Sequence, residues 1–407
     1  MTDQRASDGA GKAKLQHLPA QLQLHCFSFL DGAGLTIALA AVKWELSEEK
    51  TDRLFQTAFV NRCGEDAALM LVAKSGSHRW KRAFVAALSA DQRWRKGALT
   101  IVSRRWTQQH IDIQLTSTRV FEPHTVERRQ TQLSWRLEPG GWLARHGLPG
   151  NARPAMLRGE EALIEWCSAS QLNVLDVDGK QLSTVALNVT LASPTAVAFG
   201  RFFGYCNADQ SIHIHSLDSA ELECKIDMTQ AIKLGGNVYQ LLPVSTSCFL
   251  LKVGPHYALR RLLATLSSTR ELRLPAGYHF APDLCVSRGV CCIQDGGGVW
   301  LLRESAIEQG FRKIADLGEL SCTGWESACV REPTRDLIII VWLSGTIVAL
   351  DLDGRIVRRV DNIAFGEVQN DVILSTTIRT VVAWRNRVAV VTEISNGRSF
   401  LTICDFS

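Results

Sequence analysis

None of the 12 cysteines in this 407-residue chain forms a Cys-x-x-Cys pair. That absence removes the usual zinc-ribbon and dithiol redox motifs. Cys291 and Cys292 are adjacent, and on a strand they would point to opposite faces. The others stand singly in apolar runs such as Ser247-Cys248-Phe249-Leu250, as buried thiols do in a reducing compartment. There is no Gly-x-Ser-x-Gly elbow, no His-Glu-x-x-His helix and no phosphate loop. Gly9-Ala-Gly11-Lys12 lacks the strand before it and the hydroxyl residue after the lysine. No apolar run approaches the length of a membrane span. The first residues, with Asp3 and Asp8, lack the apolar core of a secretion signal. Charge of one sign is missing too. A net charge of +4 is too small to imply nucleic acid or a membrane surface as partner. The arginine pairs Arg104-Arg105, Arg128-Arg129, Arg260-Arg261 and Arg358-Arg359 are scattered and read as solvated surface. These absences predict a cytoplasmic or nuclear protein with no cofactor, no metal and no catalysis of its own.

What is present is ordinary for a folded protein: 46% hydrophobic and 21% charged residues, in a length that suits two or three domains. Residues 1–14 are small, polar and glycine-rich, and read as disordered. Leu18-Pro19 then opens a helix, since proline is tolerated in a first turn. Leu22, Cys26, Phe29 and Leu30 form its apolar stripe, and Leu24 and Phe27 lie off it. Asp31-Gly32 breaks that helix. Leu35, Leu39 and Val42 make a second stripe ending at Trp44. Ser47-Glu48-Glu49 starts a third helix that carries Leu54, Phe55, Ala58 and Phe59. Three helices this short cannot cover so much apolar surface among themselves. They need the rest of the chain or a partner.

The order of these residues resembles an F-box. The matching positions are Leu18, Pro19, Leu24, Phe27, Leu30, Leu39, Val42, Trp44, Asp52, Leu54 and Phe55. The resemblance covers about a tenth of the chain. It implies that the apolar positions dock onto a Skp-type adaptor, which tethers the protein to a cullin ubiquitin ligase. A further helix follows, with Trp80, Phe84 and Leu88 at i, i+4 and i+8. Trp80-Lys-Arg-x-Phe84 and Arg93-Trp94-Arg95-Lys96-Gly97 resemble the linker of F-box proteins that carry a WD-repeat propeller.

From Leu99 onward, short β-branched runs alternate with Gly, Asn and Asp. Segments starting at Trp166, Trp342 and Trp384 align. Each has a tryptophan, a polar loop, an apolar strand, then Asp178-Gly179, Asp353-Gly354 or Asn396-Gly397, then a basic residue. Weaker copies run from Tyr205 to Asp218 and from Cys292 to Glu304. The Asp-Gly and Asn-Gly steps predict type I′ two-residue hairpins. Strand ends fall near Leu175, Leu217, Leu263, Leu302, Leu350 and Cys404, a spacing close to the about 40–45 residues of a WD-type blade. No Gly-His or Trp-Asp signature accompanies them. One divergent unit between Leu99 and Gly150 makes seven. The expected architecture is multidomain: a helical F-box-like module over 15–62, a helical linker over 63–97 and an all-β propeller of seven blades over 98–407. Closing the ring predicts that Phe400–Cys404 pairs with Leu99–Val102.

Two other constellations invite chemistry. His213-Ile-His215 places two imidazoles on one face of a strand, but no third ligand is near, which favours a structural pair. Asp295 before Gly296-Gly297-Gly298 reads as a flexible inter-strand loop. The loop after Trp384 is the basic one, and Arg385 and Arg387 are expected to grip an acidic or phosphorylated protein substrate. The expected function is substrate recognition in a cullin-type ubiquitin ligase. The alternative is a propeller scaffold for protein interactions with no ubiquitin role.

Overall fold

A computed structural model describes residues 48–63, Trp80, Phe84, and the strands and turns given below within 92–406. The chain divides into two compact units, residues 1–91 and 92–407. The expected boundary lay six residues later, so the Trp94 segment belongs with the strands.

In the first unit, α1 (Glu48–Cys63) has glutamates in its first turn and an exposed Glu49–Arg53 pair one turn apart at 2.8 Å. Its apolar residues fall at i, i+1, i+4 and i+5. Leu54, Phe55, Ala58 and Phe59 are all buried. Phe55 lies 5.8 Å from Phe84 and Phe59 lies 5.8 Å from Trp80, both tilted. The Asp52 carboxylate accepts the Trp80 backbone N–H at 2.8 Å. Trp80 and Phe84, from the segment expected as a linker, thus pack against aromatic residues of α1.

The second unit starts with β1 (Thr100–Trp106) and continues in runs of four. The first sheet is β2 (Gln114–Leu115), β3 (Arg119–Val126), β4 (Arg129–Glu138) and β5 (Gly141–Pro149). The second is β6 (Arg153–Leu157), β7 (Glu160–Ser168), β8 (Gln171–Asp176) and β9 (Gln181–Ala186). The third is β10 (Val197–Phe199), β11 (Phe202–Cys206), β12 (Ser211–Ser216) and β13 (Leu222–Asp227). The fourth is β14 (Val238–Pro243), β15 (Cys248–Val253), β16 (Arg260–Thr265) and β17 (Thr269–Glu271). The fifth is β18 (Cys285–Val286), β19 (Gly289–Ile293), β20 (Gly298–Arg303) and β21 (Arg312–Asp316), with a 3-10 segment, Glu304–Gln309, before its last strand. The sixth is β22 (Trp325–Arg331), β23 (Asp336–Trp342), β24 (Thr346–Leu350) and β25 (Ile356–Val360). A small hairpin follows, β26 (Val368–Gln369) with β27 (Val372–Ile373). The seventh sheet is β28 (Ser375–Trp384), β29 (Arg387–Ile394), β30 (Ser399–Asp405) and, from the other end, β1.

Seven four-stranded antiparallel sheets of this kind are present among the described residues. Their first strands are neighbours in the order β18, β22, β28, β2, β6, β10, β14. The fourth strands are therefore outermost. This is a β-propeller-like arrangement, and its cores are the seams between sheets. One seam packs Ile339, Val341 and Ile347 of the sixth sheet against Val388, Val390 and Cys404 of the seventh. Another packs Ile212, Ile214 and Ile226 against Phe249, Leu251 and Leu262.

The expected closure is observed, with Thr100↔Asp405 through Trp106↔Ser399 in register. The anticipated strand ends are all ends of third strands: β8, β12, β16, β20, β24 and β30. Two details of the repeat are corrected. Trp166 and Trp342 lie in second strands, but Trp384 ends a first strand. The third aligned copy is displaced by one strand, because a tryptophan beside a polar loop does not tell one strand of a blade from the next. The Asp-Gly turns are also not type I′. Gly179 and Gly354 have positive φ, 86° and 79°, while the aspartate before each does not. The carboxylate of Asp176 accepts the N–H of Asp178 and of Lys180 at 2.9 and 2.8 Å. Asp351 does the same for Asp353 and Arg355 at 3.0 and 2.8 Å. An aspartate two residues upstream thus organises a longer turn.

Candidate functional site

Two surfaces were expected to carry function: the apolar face of the helical module and the loop after Trp384. Of the helical positions, Leu18, Pro19, Leu24, Phe27, Leu30, Leu39, Val42 and Trp44 lie outside the described residues. Leu54 and Phe55 are 3% and 1% exposed. Both side chains are buried, and the Phe55 ring packs on Phe84.

The loop after Trp384 departs from expectation. Arg385 lies outside the described residues. Arg387 is 7% exposed, and its Nε donates to Asp405 Oδ2 at 2.8 Å. Asn386 Nδ2 donates to the other carboxylate oxygen at 2.7 Å, and the Phe406 N–H donates to the Asn386 carbonyl at 2.9 Å. Arg387 and Asp405 are directly paired across β29 and β30. A buried guanidinium without a carboxylate would cost several kcal/mol, so the pair forms where strand register puts the two together. Arg387, expected as one arm of a substrate clamp, is thus buried and engaged by Asp405. The displaced copy has a further consequence. Turns after first strands and turns after second strands lie at opposite ends of a sheet. The Trp384 turn is therefore at the other end from the loops after Trp166 and Trp342.

That end of the ring, where first-to-second and third-to-fourth turns meet, carries a series of arginine straps. Arg270 on β17 donates to the Ile307 carbonyl at 3.2 Å and to Glu308 at 3.1 Å. Arg303 on β20 reaches the Leu352 carbonyl at 3.4 Å and Asp353 at 3.2 Å. Arg358 on β25 donates to the carbonyls of Arg95 and Gly97 at 2.9 and 3.3 Å. Ser245 and Ser247 both donate to Glu304, at 2.9 and 3.1 Å. Each contact joins one sheet to the next, or the sixth sheet to the segment leading into β1. Sequence reasoning read Arg358 as solvated surface. Nothing local marks it, because its acceptors are backbone groups more than 250 residues away.

His213 and His215 do share a face, as expected. They sit with Phe203 and Tyr205, their partners across β11 and β12. Tyr205 Oη lies 3.0 Å from His215 Nε2, and the His215 ring stacks on Phe203 at 5.2 Å and on Tyr205 at 5.5 Å. All four are buried. The pair is part of an aromatic core. No group of three or more metal-ligating side chains occurs among the described residues. No described helix is long and apolar enough to cross a membrane, which says nothing of strands.

Burial pushes the Cys292 and Cys404 thiols up to about 12. Partial burial, and then the Glu165 charge, raise exposed Cys167 as well. None of these has the lowered pKa of a nucleophilic thiolate.

No known protein family model matches this sequence, and no curated protein sequence matches it. Among solved structures, BamB from Moraxella catarrhalis is similar at 12% identity and a TM-score of 0.34, over 76% of this chain and 98% of that one.

Proposed function

We propose that this protein is the substrate-recognition subunit of a cullin-type ubiquitin ligase, working in the cytoplasm or nucleus. The observation that carries the reading is the F-box-like order of residues from Leu18 to Phe55. In this reading Leu18, Pro19, Leu24, Phe27, Leu30, Leu39, Val42 and Trp44 meet a Skp-type adaptor. Leu54 and Phe55 hold the module's own core. The ring unit, as a seven-bladed WD-like propeller, binds a protein substrate. The chain does no chemistry. It raises the effective concentration of a substrate lysine near a ubiquitin-charged enzyme, to the millimolar range about which short tethers operate.

The experiment is affinity purification of the full chain from cells, beside a chain lacking residues 15–62. The expected result is a Skp-type adaptor and a cullin with the full chain and neither with the deletion. A full chain that recovers partners but never an adaptor would make the protein a propeller scaffold without a ubiquitin role.

A further inference from the structure

The chain as a whole carries only +4, yet two short segments are basic without a single acid. Residues 92–106 hold Arg93, Arg95, Lys96, Arg104 and Arg105, and residues 355–360 hold Arg355, Arg358 and Arg359. The remainder of the chain is therefore net acidic. The fold brings the two segments to one corner of the ring, although more than 250 residues separate them. β25 and β1 are the outermost strands of the sixth and seventh sheets. The Arg358 guanidinium on β25 donates to the carbonyls of Arg95 and Gly97, which ties the segments together. Arg358 is thereby engaged by the fold, and Arg359 is paired with Asp361. Arg93, Arg95 and Lys96 are exposed on the helical turn 92–96, and Arg355 is exposed at the head of β25. The acids that flank β25 in the chain, Asp353 and Asp361, meet Arg303 and Arg359. Charges on an outer strand are ordinary protection against stray pairing, but those on the helical turn guard no strand edge. Beside them Ile101 on β1 is 44% exposed. It is the cross-strand partner of Cys404, which packs in the seam with the sixth sheet, so Ile101 is on the side of β1 that faces that sheet.

We propose that this corner is a docking surface for an acidic segment of a partner protein. Carboxylates of the segment meet Arg93, Arg95, Lys96 and Arg355, and an apolar side chain among them sits on Ile101. Guanidinium groups suit carboxylates because their paired N–H groups match the two oxygens. Charge of one sign also speeds encounter with an opposite partner and rejects basic competitors. Other polyanions fit less well. Single-stranded bases stack on exposed aromatic rings, and membrane interfaces are anchored by them. The aromatics of this corner, Trp94 and Phe406, are stacked on each other and buried. An acidic protein segment is the occupant the surface favours. The inference concerns the ring unit only and holds whether or not an adaptor binds the first unit.

The test uses the full chain and a fluorescein-labelled, end-blocked peptide of Glu-Glu-Leu repeats. Peptides of Gln-Gln-Leu and Glu-Glu-Ser repeats are the controls. Anisotropy should show binding of the Glu-Glu-Leu peptide that weakens as salt rises, and no binding of the Gln-Gln-Leu peptide. The Glu-Glu-Ser peptide should bind at least about threefold more weakly, for want of the apolar contact. Arg93→Glu/Lys96→Glu/Arg355→Glu should weaken binding of the Glu-Glu-Leu peptide by at least about tenfold. Lys180→Glu/Arg273→Glu/Arg312→Glu makes the same change of charge beside the outer strands of other sheets. It should leave binding within about twofold, because exposed charges farther apart than about 8 Å are screened at physiological salt. Ile101→Ser should erase the difference between the leucine and serine peptides. Arg355→Glu alone makes the same comparison if the triple variant melts early. No binding by the unaltered chain, or equal loss in the two triple variants, overturns the inference. So does tighter binding of single-stranded DNA or of phosphatidylserine vesicles than of the Glu-Glu-Leu peptide, which would assign the corner to another polyanion.

Discussion

Trp94 and Phe406 stack with ring centroids 4.6 Å apart and planes 26° from parallel. The lead-in to the first strand and the residue after the last are thereby one packed unit. The Arg358 guanidinium lies 5.9 Å from the Phe406 ring centroid, and both aromatics are within 2% of full burial. Gly97 completes the contact. A Cβ there would overlap the carbonyl oxygens of Arg93 and Phe406, so only glycine lets the turn approach. Truncating a fully buried phenylalanine costs about 3–5 kcal/mol through lost burial and the cavity left behind. Phe406→Ala should therefore lower the unfolding free energy of the ring unit by that amount, read from its urea midpoint and slope. Gly97→Ala should lower the same free energy by about 1–3 kcal/mol through overpacking. Tryptophan emission and far-ultraviolet dichroism should report one shared transition. A loss confined to local signals would show that this contact is not part of the ring's cooperative core.

Removing residues 399–407 is a more severe version of the same experiment. β30 is not an edge: it pairs with β29 on one side and β1 on the other. Its loss leaves β1 without its partner and β29 with one bare edge, and opens the seam that holds Cys404 and Phe406. The expected outcome is aggregation or loss of the main melting transition. An unchanged transition would mean that the other sheets do not need closure.

The Arg387–Asp405 pair separates structural from ligand-binding roles. Removing one partner of a buried ion pair costs about 3–5 kcal/mol, because the other charge is stranded. Arg387→Met and Asp405→Leu should each destabilise by that much. The double variant should recover most of the loss. Equal and additive losses in the cycle would show that the two do not act as a pair.

Closure of the ring was legible in the sequence because it follows from one rule, that a last β-strand needs a partner. Third-strand ends were legible for a related reason: buried runs such as Thr346–Leu350, apolar at nearly every position, stop sharply at Asp351 or its equivalent. What misled was local resemblance. Trp384 looks like Trp166 and Trp342, yet lies one strand earlier in its blade. Arg385-Asn386-Arg387 looks like a solvated basic loop, but Arg387 is the first residue of a strand whose register brings in Asp405. The signal that could have found it was Asp405 itself, a lone acid at the end of an apolar strand with no local partner.

The first unit makes a prediction about fragments. Phe55 and Phe59 are covered by Phe84 and Trp80, so a fragment ending at residue 62 exposes both rings. Full burial of each aromatic is worth about 1.5–3 kcal/mol. Residues 15–62 should be less soluble and less helical than residues 1–91, by sedimentation and circular dichroism. Equal behaviour of the two fragments would show that the Trp80 and Phe84 contacts contribute little.

The last prediction concerns alkaline stability. Cys292 and Cys404 are buried, and burial alone raises both thiols to about 12, against an ordinary value of about 8.5. A raised folded value means that, between these limits, the unfolded chain has already lost protons that the folded chain still holds. Stability is complete below the unfolded value and falls as pH climbs through the window. The slope approaches about 1.4 kcal/mol per pH unit for each thiol. Urea midpoints measured at steps from pH 8 to about 11 should decline. Lysines and tyrosines contribute to that decline, so the informative quantity is the difference from Cys292→Ala/Cys404→Ala, which should decline less steeply. Iodoacetamide gives an independent reading. It should modify exposed Cys167 in the folded protein and reach Cys292 and Cys404 only after unfolding. Parallel pH curves for the two proteins, or ready alkylation of Cys404 in the native state, would show that the seam between the sixth and seventh sheets opens to solvent.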